Sequence, residues 1–428
     1  MKTTNKKGND KKSIQRDSLD EGTLDKNSYL SASDLEVDSS GEENVMHTMT
    51  LFQDREEIYS NLPENEIPEL TQKPRNKYKF IRSIGFGGMK AILQVRDSDT
   101  TRSVAMAIVP DFDDRPKEDI SRFIREARIT ARLEHPNIVP IHDIGVDEAG
   151  SPYFTMKLLR GRTLSMILAK LKNGNEGALK KNTLPRLLRV FVKVCNAVAF
   201  AHYKNVIHLD LKPENIHIGD YGEVLVLDWG LAKFMSDKEK VTEHTKDDPD
   251  QLEGSNTFMT LDGVAKGTPG YMAPEQAAGK NTSKDARTDI YAMGSILYAI
   301  LTFESPLANR QNVKKILHDT VTGNIETPRE MRNSYRPIPA ALEAICLKAM
   351  SLDPQERYQS VNEMRDDLFA FMSGYATVAE KAGSLKKTFL FINRNLIPLL
   401  FLITALILIV GLSAFIYLHY NELISFNF

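Results

Sequence analysis

The chain has 428 residues, 26% of them charged, and a formal net charge of -2, so no charge bias calls for a nucleic-acid partner. That length accommodates two or three domains of ordinary size. The two cysteines, Cys195 and Cys346, lie in apolar helix-like runs; this excludes a disulfide framework or a cysteine-rich zinc site and reads as buried thiols in a reducing cytoplasm.

Residues 1–72 come first. Up to about residue 45 they are rich in Lys, Asp, Ser, Asn and Glu, with Tyr29 the one aromatic. Such a stretch cannot bury enough apolar surface to offset its ordering entropy, so disorder is expected. No apolar run follows the early lysines, which is not the pattern of a signal peptide. Residues 46–72 are intermediate in character and are expected to act as a linker or as a short amphipathic piece docked on the domain behind them.

Composition becomes globular over residues 78–371. YKFIRSIGF, AILQVRD and SVAMAIV alternate in strand fashion, with DSDTTR as a turn. DISRFIREARITARL follows with apolar residues at helical spacing. Beyond Gly161 the pattern is mostly helical, interrupted by VIHLDLKPENIHIG and VLVLDWG. The expected class is α+β, a small β-rich lobe followed by a larger helical lobe. No solenoid repeat is visible.

The end of the chain changes again. Residues 372–395 read as a basic linker carrying Lys381, Lys386, Lys387 and Arg394. Leu396 to Leu418 is apolar on every face and uncharged. At ~1.5 Å per residue such a helix crosses a ~30 Å hydrocarbon core. Pro398 lies near its start, where a helix tolerates proline. The positive-inside rule then places the globular domain in the cytoplasm, on a single-pass cell-membrane anchor, with residues 419–428 outside.

Seven segments of the globular part occur in a telling order: GFGG at 85–88, FIREARITARLEHPNIV at 123–139, HLDLKPEN at 208–215, DWGLAK at 228–233, GTPGYMAPE at 267–275, RTDIYAMGSIL at 287–297 and DPQERY at 353–358. Through them, residues 78–371 resemble the eukaryotic-type (Hanks-type) Ser/Thr protein kinases of bacteria. The resemblance implies phosphoryl transfer from ATP, with Mg²⁺ or alternatively Mn²⁺, to protein Ser/Thr hydroxyls. It implies Asp210 as the residue that accepts or orients the substrate proton and Lys212 as the cation on the transferring phosphate. Asn215 and Asp228 are the implied metal ligands, hard oxygen donors of the kind Mg²⁺ prefers. Ile84, Gly85, Phe86, Gly87, Gly88, Ile92, Ala105, Met156 and Leu158 are the implied walls of the ATP site, Met156 as gatekeeper and Leu158 in the hinge. Thr268 is implied beside the catalytic aspartate. Glu275, Arg357 and Asp289 are implied scaffold residues, and a homodimer is left open.

Two positions depart from the family pattern. The third strand usually ends in Val-Ala-x-Lys, but here Val104, Ala105 and Met106 are followed by Ala107. The glycine loop, Gly85-Phe86-Gly87-Gly88-Met89-Lys90, carries Lys90 in place of its third glycine. With the strand turn centred near Asp99 and Thr100, Ile92 falls opposite Ala107. Residues opposite each other or two apart share a face, so Lys90, Ile92, Ala105 and Ala107 all face the cleft. A four-carbon lysine stem spans the remaining step. The exchange resembles the with-no-lysine kinases, and it makes Glu126 the expected carboxylate partner of Lys90. The second departure is Leu209, which stands where the family has a phosphate-binding Arg. Activation through that arginine is then doubtful, although Thr242, Thr245, Ser255, Thr257 and Thr260 of the activation segment are candidate autophosphorylation sites. The two departures also support a different reading, a weakly catalytic scaffold that binds nucleotide or protein partners.

Overall fold

The structure, a computed structural model, describes residues 77–86, 89–147, 149–235, 257–260, 263–279, 284–331 and 336–425. The expectations for residues 1–72, Gly87, Gly88, Thr242, Thr245 and Ser255 lie outside them. Thr257 and Thr260 are described as backbone only.

The first lobe grows from local turn chemistry. β1 (Tyr78–Phe86), β2 (Ala91–Asp97) and β3 (Ser103–Ile108) pair antiparallel in succession. Asp97 sets the β2–β3 turn by accepting from the Asp99 N–H at 3.0 Å and the Thr100 hydroxyl at 2.8 Å. This turn fixes the register, and Ile92 lies opposite Ala107. β4 (Ile141–Val146) and β5 (Pro152–Lys157) complete a sheet of order β1-β2-β3-β5-β4, in which Ala105 pairs with Met156 and Ala107 with Phe154. Helix α1 (Lys117–Arg132) buries Ile120, Phe123, Ile124 and Ala127 against Ala107, Val109 and Phe154. Their spacing is that of one helix face.

The second lobe is helical. β6 (Gly161–Thr163) leads into α2 (Leu164–Lys172), capped by the Thr163 hydroxyl, then α3 (Glu176–Lys181) and α4 (Leu184–Tyr203). Short strands follow: β7 (Val206–Ile207), β8 (Ile216–Gly219), β9 (Val224–Val226), β10 (Lys233–Phe234), β11 (Thr257–Thr260) and β12 (Gly263–Lys266). α5 (Pro274–Ala277), α6 (Ala286–Thr302), α7 (Val313–Thr322), α8 (Ala340–Ala349) and α9 (Val361–Met372) come next. α6 is the central helix, buried continuously from Thr288 to Thr302 and packed against α4 and α8, on which α9 also packs. Cys195 and Cys346 are fully buried in this core, and burial pushes the Cys195 thiol up to about 12. The α+β, two-lobed expectation matches this architecture.

Arg357 locks the base of the large lobe. Its two terminal nitrogens donate to the two oxygens of Glu275 at 2.9 Å each. Its remaining N–H groups reach the carbonyls of Ser351, Arg287 and Leu352. Every guanidinium donor is used, and the Arg357 side chain is wholly buried. Replacing one partner strands the other charge in the interior. Arg357→Leu should therefore destabilise folding by about 3–5 kcal/mol, read as a lower urea midpoint; an unchanged midpoint would refute this role.

The stretch 372–395, expected as a linker, is built structure in large part. Asp367, buried in α9, accepts from the Val378 N–H at 2.5 Å, the Ala379 N–H at 2.9 Å and the Tyr358 hydroxyl at 2.7 Å. Helix α10 (Ser384–Arg394) follows, and one residue later α11 (Leu396–Ser425) begins. Leu396–Tyr417 of α11 is long and apolar enough to cross a membrane, and none of it is buried against the protein.

Candidate active site

The loop at 208–215 follows β7 and is held from below. Asp289, on α6 and 1% exposed, accepts from the backbone N–H groups of His208 and Leu209 at 2.8 Å each, and lies 2.8 Å from the His202 ring. Burial works against its charge, but the His202 ring and the backbone donors outweigh burial and hold the Asp289 carboxyl below the usual range. Leu209 sits at φ 65°, a left-handed conformation unfavourable for leucine. It is fixed there from both ends, since Gln276 Nε2 donates to its carbonyl at 2.9 Å. Such strain persists where neighbours over-determine the backbone.

The turn thus held presents Asp210. Its Oδ2 accepts from Lys212 Nζ at 2.8 Å, and its Oδ1 accepts from the Thr268 hydroxyl at 2.7 Å. Lys212 Nζ also donates to Thr268 Oγ1 at 2.6 Å, closing a triangle. Both Asp210 oxygens are oriented, and the carboxylate lies beside an ammonium able to neutralise an incoming anion. Asn215 Nδ2 donates to the Asp210 carbonyl at 2.9 Å, which leaves the amide oxygen of Asn215 as its acceptor atom.

A second charged group faces this one. Lys90 Nζ lies 2.5 Å from Glu126 Oε1 and 2.8 Å from Asp228 Oδ1. Glu126 comes from α1, and Asp228 from the turn after β9, itself at φ 59°. Burial opposes the Lys90 ammonium, but the Glu126 and Asp228 carboxylates outweigh it and raise the lysine above its ordinary value. Asp228 is likewise opposed by burial and then held below the usual carboxylate range by Lys90. Burial pushes the enclosed Glu126 carboxyl up, while Lys90 pulls it back. Gly230 permits this approach: a Cβ there would stand 3.1 Å from Glu126 Oε2 and 3.3 Å from Asp228 Oδ1.

The remaining expected site residues lie on or next to the strands of the first lobe. Ile84, Gly85 and Phe86 end β1, and the apolar side chains of Ile84 and Phe86 are 45% and 77% exposed. Ile92 on β2 is partly buried, and Ala105 on β3 is buried opposite Met156 of β5, just ahead of Leu158. Ala107 is fully buried. Gly87 and Gly88 are outside the described residues. Sequence reasoning missed Gln276, Gly230 and the His208–Trp229 ring contact at a centroid distance of 4.5 Å. Gln276 directly follows the quoted Glu275, and Gly230 lies within the quoted DWGLAK, but neither role shows in residue type alone.

Comparison with known proteins points to one family. The protein kinase domain family matches residues 78–369. The serine/threonine-protein kinase PknD of Protochlamydia amoebophila (strain UWE25) is 40% identical over 309 residues, which cover 69% of this chain and 30% of that protein. The PknD proteins of Chlamydia trachomatis serovar D and Chlamydia pneumoniae are 35% and 36% identical, over 73% and 70% of this chain and 33% and 31% of their own. The chain spans about a third of the length of these curated relatives.

Proposed function

Because this chain belongs to the protein kinase family, we propose that it transfers the γ-phosphoryl group of ATP to Ser and Thr hydroxyls of proteins, itself included, while anchored in the cell membrane. The observation that carries the reading is the facing pair of charged groups, Asp210–Lys212–Thr268 on one side and Lys90–Glu126–Asp228 on the other.

Phosphoryl transfer asks for positioning and for charge neutralisation. Asp210 accepts or orients the proton of the acceptor hydroxyl. Lys212 neutralises the transferring group, and Thr268 keeps it in register with Asp210. Lys90, tied to Glu126, would hold the ATP phosphates, the role that Ala107 on the third strand cannot fill. Ile84, Phe86, Ala105, Met156 and Leu158 would line the rest of the ATP site.

The donor set fits a magnesium ion. The amide oxygen of Asn215 and the ionised Asp228 carboxylate are hard oxygen donors, and Asp228 Oδ2 is not the oxygen bonded to Lys90. Mg²⁺ takes one or two protein oxygens and completes its shell with phosphates and water, and these two donors meet that need. When bound, the ion would neutralise the β- and γ-phosphate charge. α11 supports the anchoring, as a candidate span directly behind the domain.

The test is transfer from γ-labelled ATP by the full chain in detergent, with Mg²⁺ or Mn²⁺, to itself and to a generic basic protein. Label on Ser and Thr is expected. No transfer with either ion would overturn the reading.

A further inference from the structure

Helix α10 has two distinct faces. Lys386, Leu390 and Arg394 stand at i, i+4 and i+8, on one side of a 3.6-residue turn. This side is turned to the domain. Lys386 pairs with Glu380, Leu390 is partly buried, and the Arg394 guanidinium stacks 3.8 Å above the Tyr375 ring. Glu380 and Tyr375 belong to the segment that Asp367 pins to α9, so α10 is tied to the folded domain near both of its ends.

The other face is apolar and bare. Leu385, Phe389 and Ile392 stand at i, i+4 and i+7, and are 90%, 66% and 45% exposed. Leu396, the first residue of α11, continues the row at i+11 and is 48% exposed. The stripe is followed, one residue past the end of α10, by the apolar span. A row of this kind left in water is unfavourable, yet its neighbour in the chain is the point where α11 meets its solvent of hydrocarbon.

We propose that α10 is an interfacial helix: Leu385, Phe389 and Ile392 insert at the headgroup–acyl boundary of the same bilayer that α11 crosses, and the catalytic domain is clamped against the membrane surface through Glu380, Tyr375 and Asp367. This inference rests on the membrane anchoring proposed above. An amphipathic helix with an aromatic and aliphatic face lies in that boundary with its apolar side sunk by ~5–10 Å. The domain is then held on a fixed mount, and the acceptors it reaches are those presented close to the membrane surface.

Single cysteines placed in the full chain test this, because the native thiols Cys195 and Cys346 are wholly buried and shielded from labelling. Leu385→Cys, Phe389→Cys, Ile392→Cys, Lys387→Cys and Leu402→Cys are spin-labelled and reconstituted in phosphatidylcholine vesicles. Collision with oxygen should exceed collision with a water-soluble nickel chelate at 385, 389, 392 and 402. The order should reverse at 387, on the opposite side of the helix. Nickel access at 385, 389 and 392 with lipid-type behaviour at 402 would overturn the interfacial helix and leave the anchor standing. Protection from both reagents at 385, 389 and 392 would place a protein surface there and also overturn it. Nickel access at 402 as well would overturn both readings.

Discussion

Asp210→Asn should slow phosphoryl transfer by about 10²–10⁴-fold, the range set by loss of a positioned acid–base group, while leaving nucleotide binding and the melting temperature nearly unchanged. Asp210 accepts two hydrogen bonds, from Lys212 at 2.8 Å and from Thr268 at 2.7 Å. An asparagine keeps the shape but turns an NH₂ group toward one of those donors. The acceptor that would receive the substrate proton is lost, and Lys212 loses half of its tether. The backbone stays in place because it is held elsewhere, by Asp289 on the N–H groups of His208 and Leu209 and by Gln276 on the Leu209 carbonyl. Single-turnover transfer and nucleotide affinity, measured on the same preparation, separate the two effects. Transfer within tenfold of the parent would remove Asp210 from the chemistry.

What could be read in the sequence, and what could not, divides along the range of the interactions. Strand alternation and the DSDTTR turn were enough to place Ile92 opposite Ala107, because period and turn are local and a one-residue slip would invert every face. The helical face of Ile120, Phe123, Ile124 and Ala127 was legible for the same reason. The contact of Lys90 with Asp228 was not, since 138 residues separate them and no periodicity links a glycine loop to a distant turn. Gln276 acts through a side-chain bond to one strained carbonyl, and nothing in its residue type announces that. Residues 372–395 looked like linker because they are basic, whereas their order depends on Asp367, a buried acceptor whose partners are backbone N–H groups and leave no mark in the composition.

Lys90→Met should lower transfer by about 10²–10³-fold, the loss typical when a preorganised electrostatic group is removed from an enclosed site. Methionine keeps the length and most of the volume, so the change isolates the charge. In the parent, the ammonium reaches both Glu126 at 2.5 Å and Asp228 at 2.8 Å, and so ties α1 to the turn that carries a proposed metal ligand. Ala107, fully buried opposite Ile92, offers only a methyl group in its place. Without Lys90, two carboxylates face each other across Gly230; Glu126, already pushed up by burial, should take a proton, and Asp228 should drift from its position. A purely structural lysine would lower stability and transfer together, and Lys90→Arg would restore both. A phosphate-binding lysine predicts a different pattern: Lys90→Arg recovers the melting temperature, through its retained pairing with Glu126, but only part of the rate, because a planar guanidinium does not reproduce a compact ammonium on the phosphates. Adding Ala107→Lys to Lys90→Met should return part of the lost transfer, since Ala107 lies opposite Ile92, two residues along the chain from Lys90. Full activity in Lys90→Met alone would refute the lysine assignment and leave the role of Asp210 untouched.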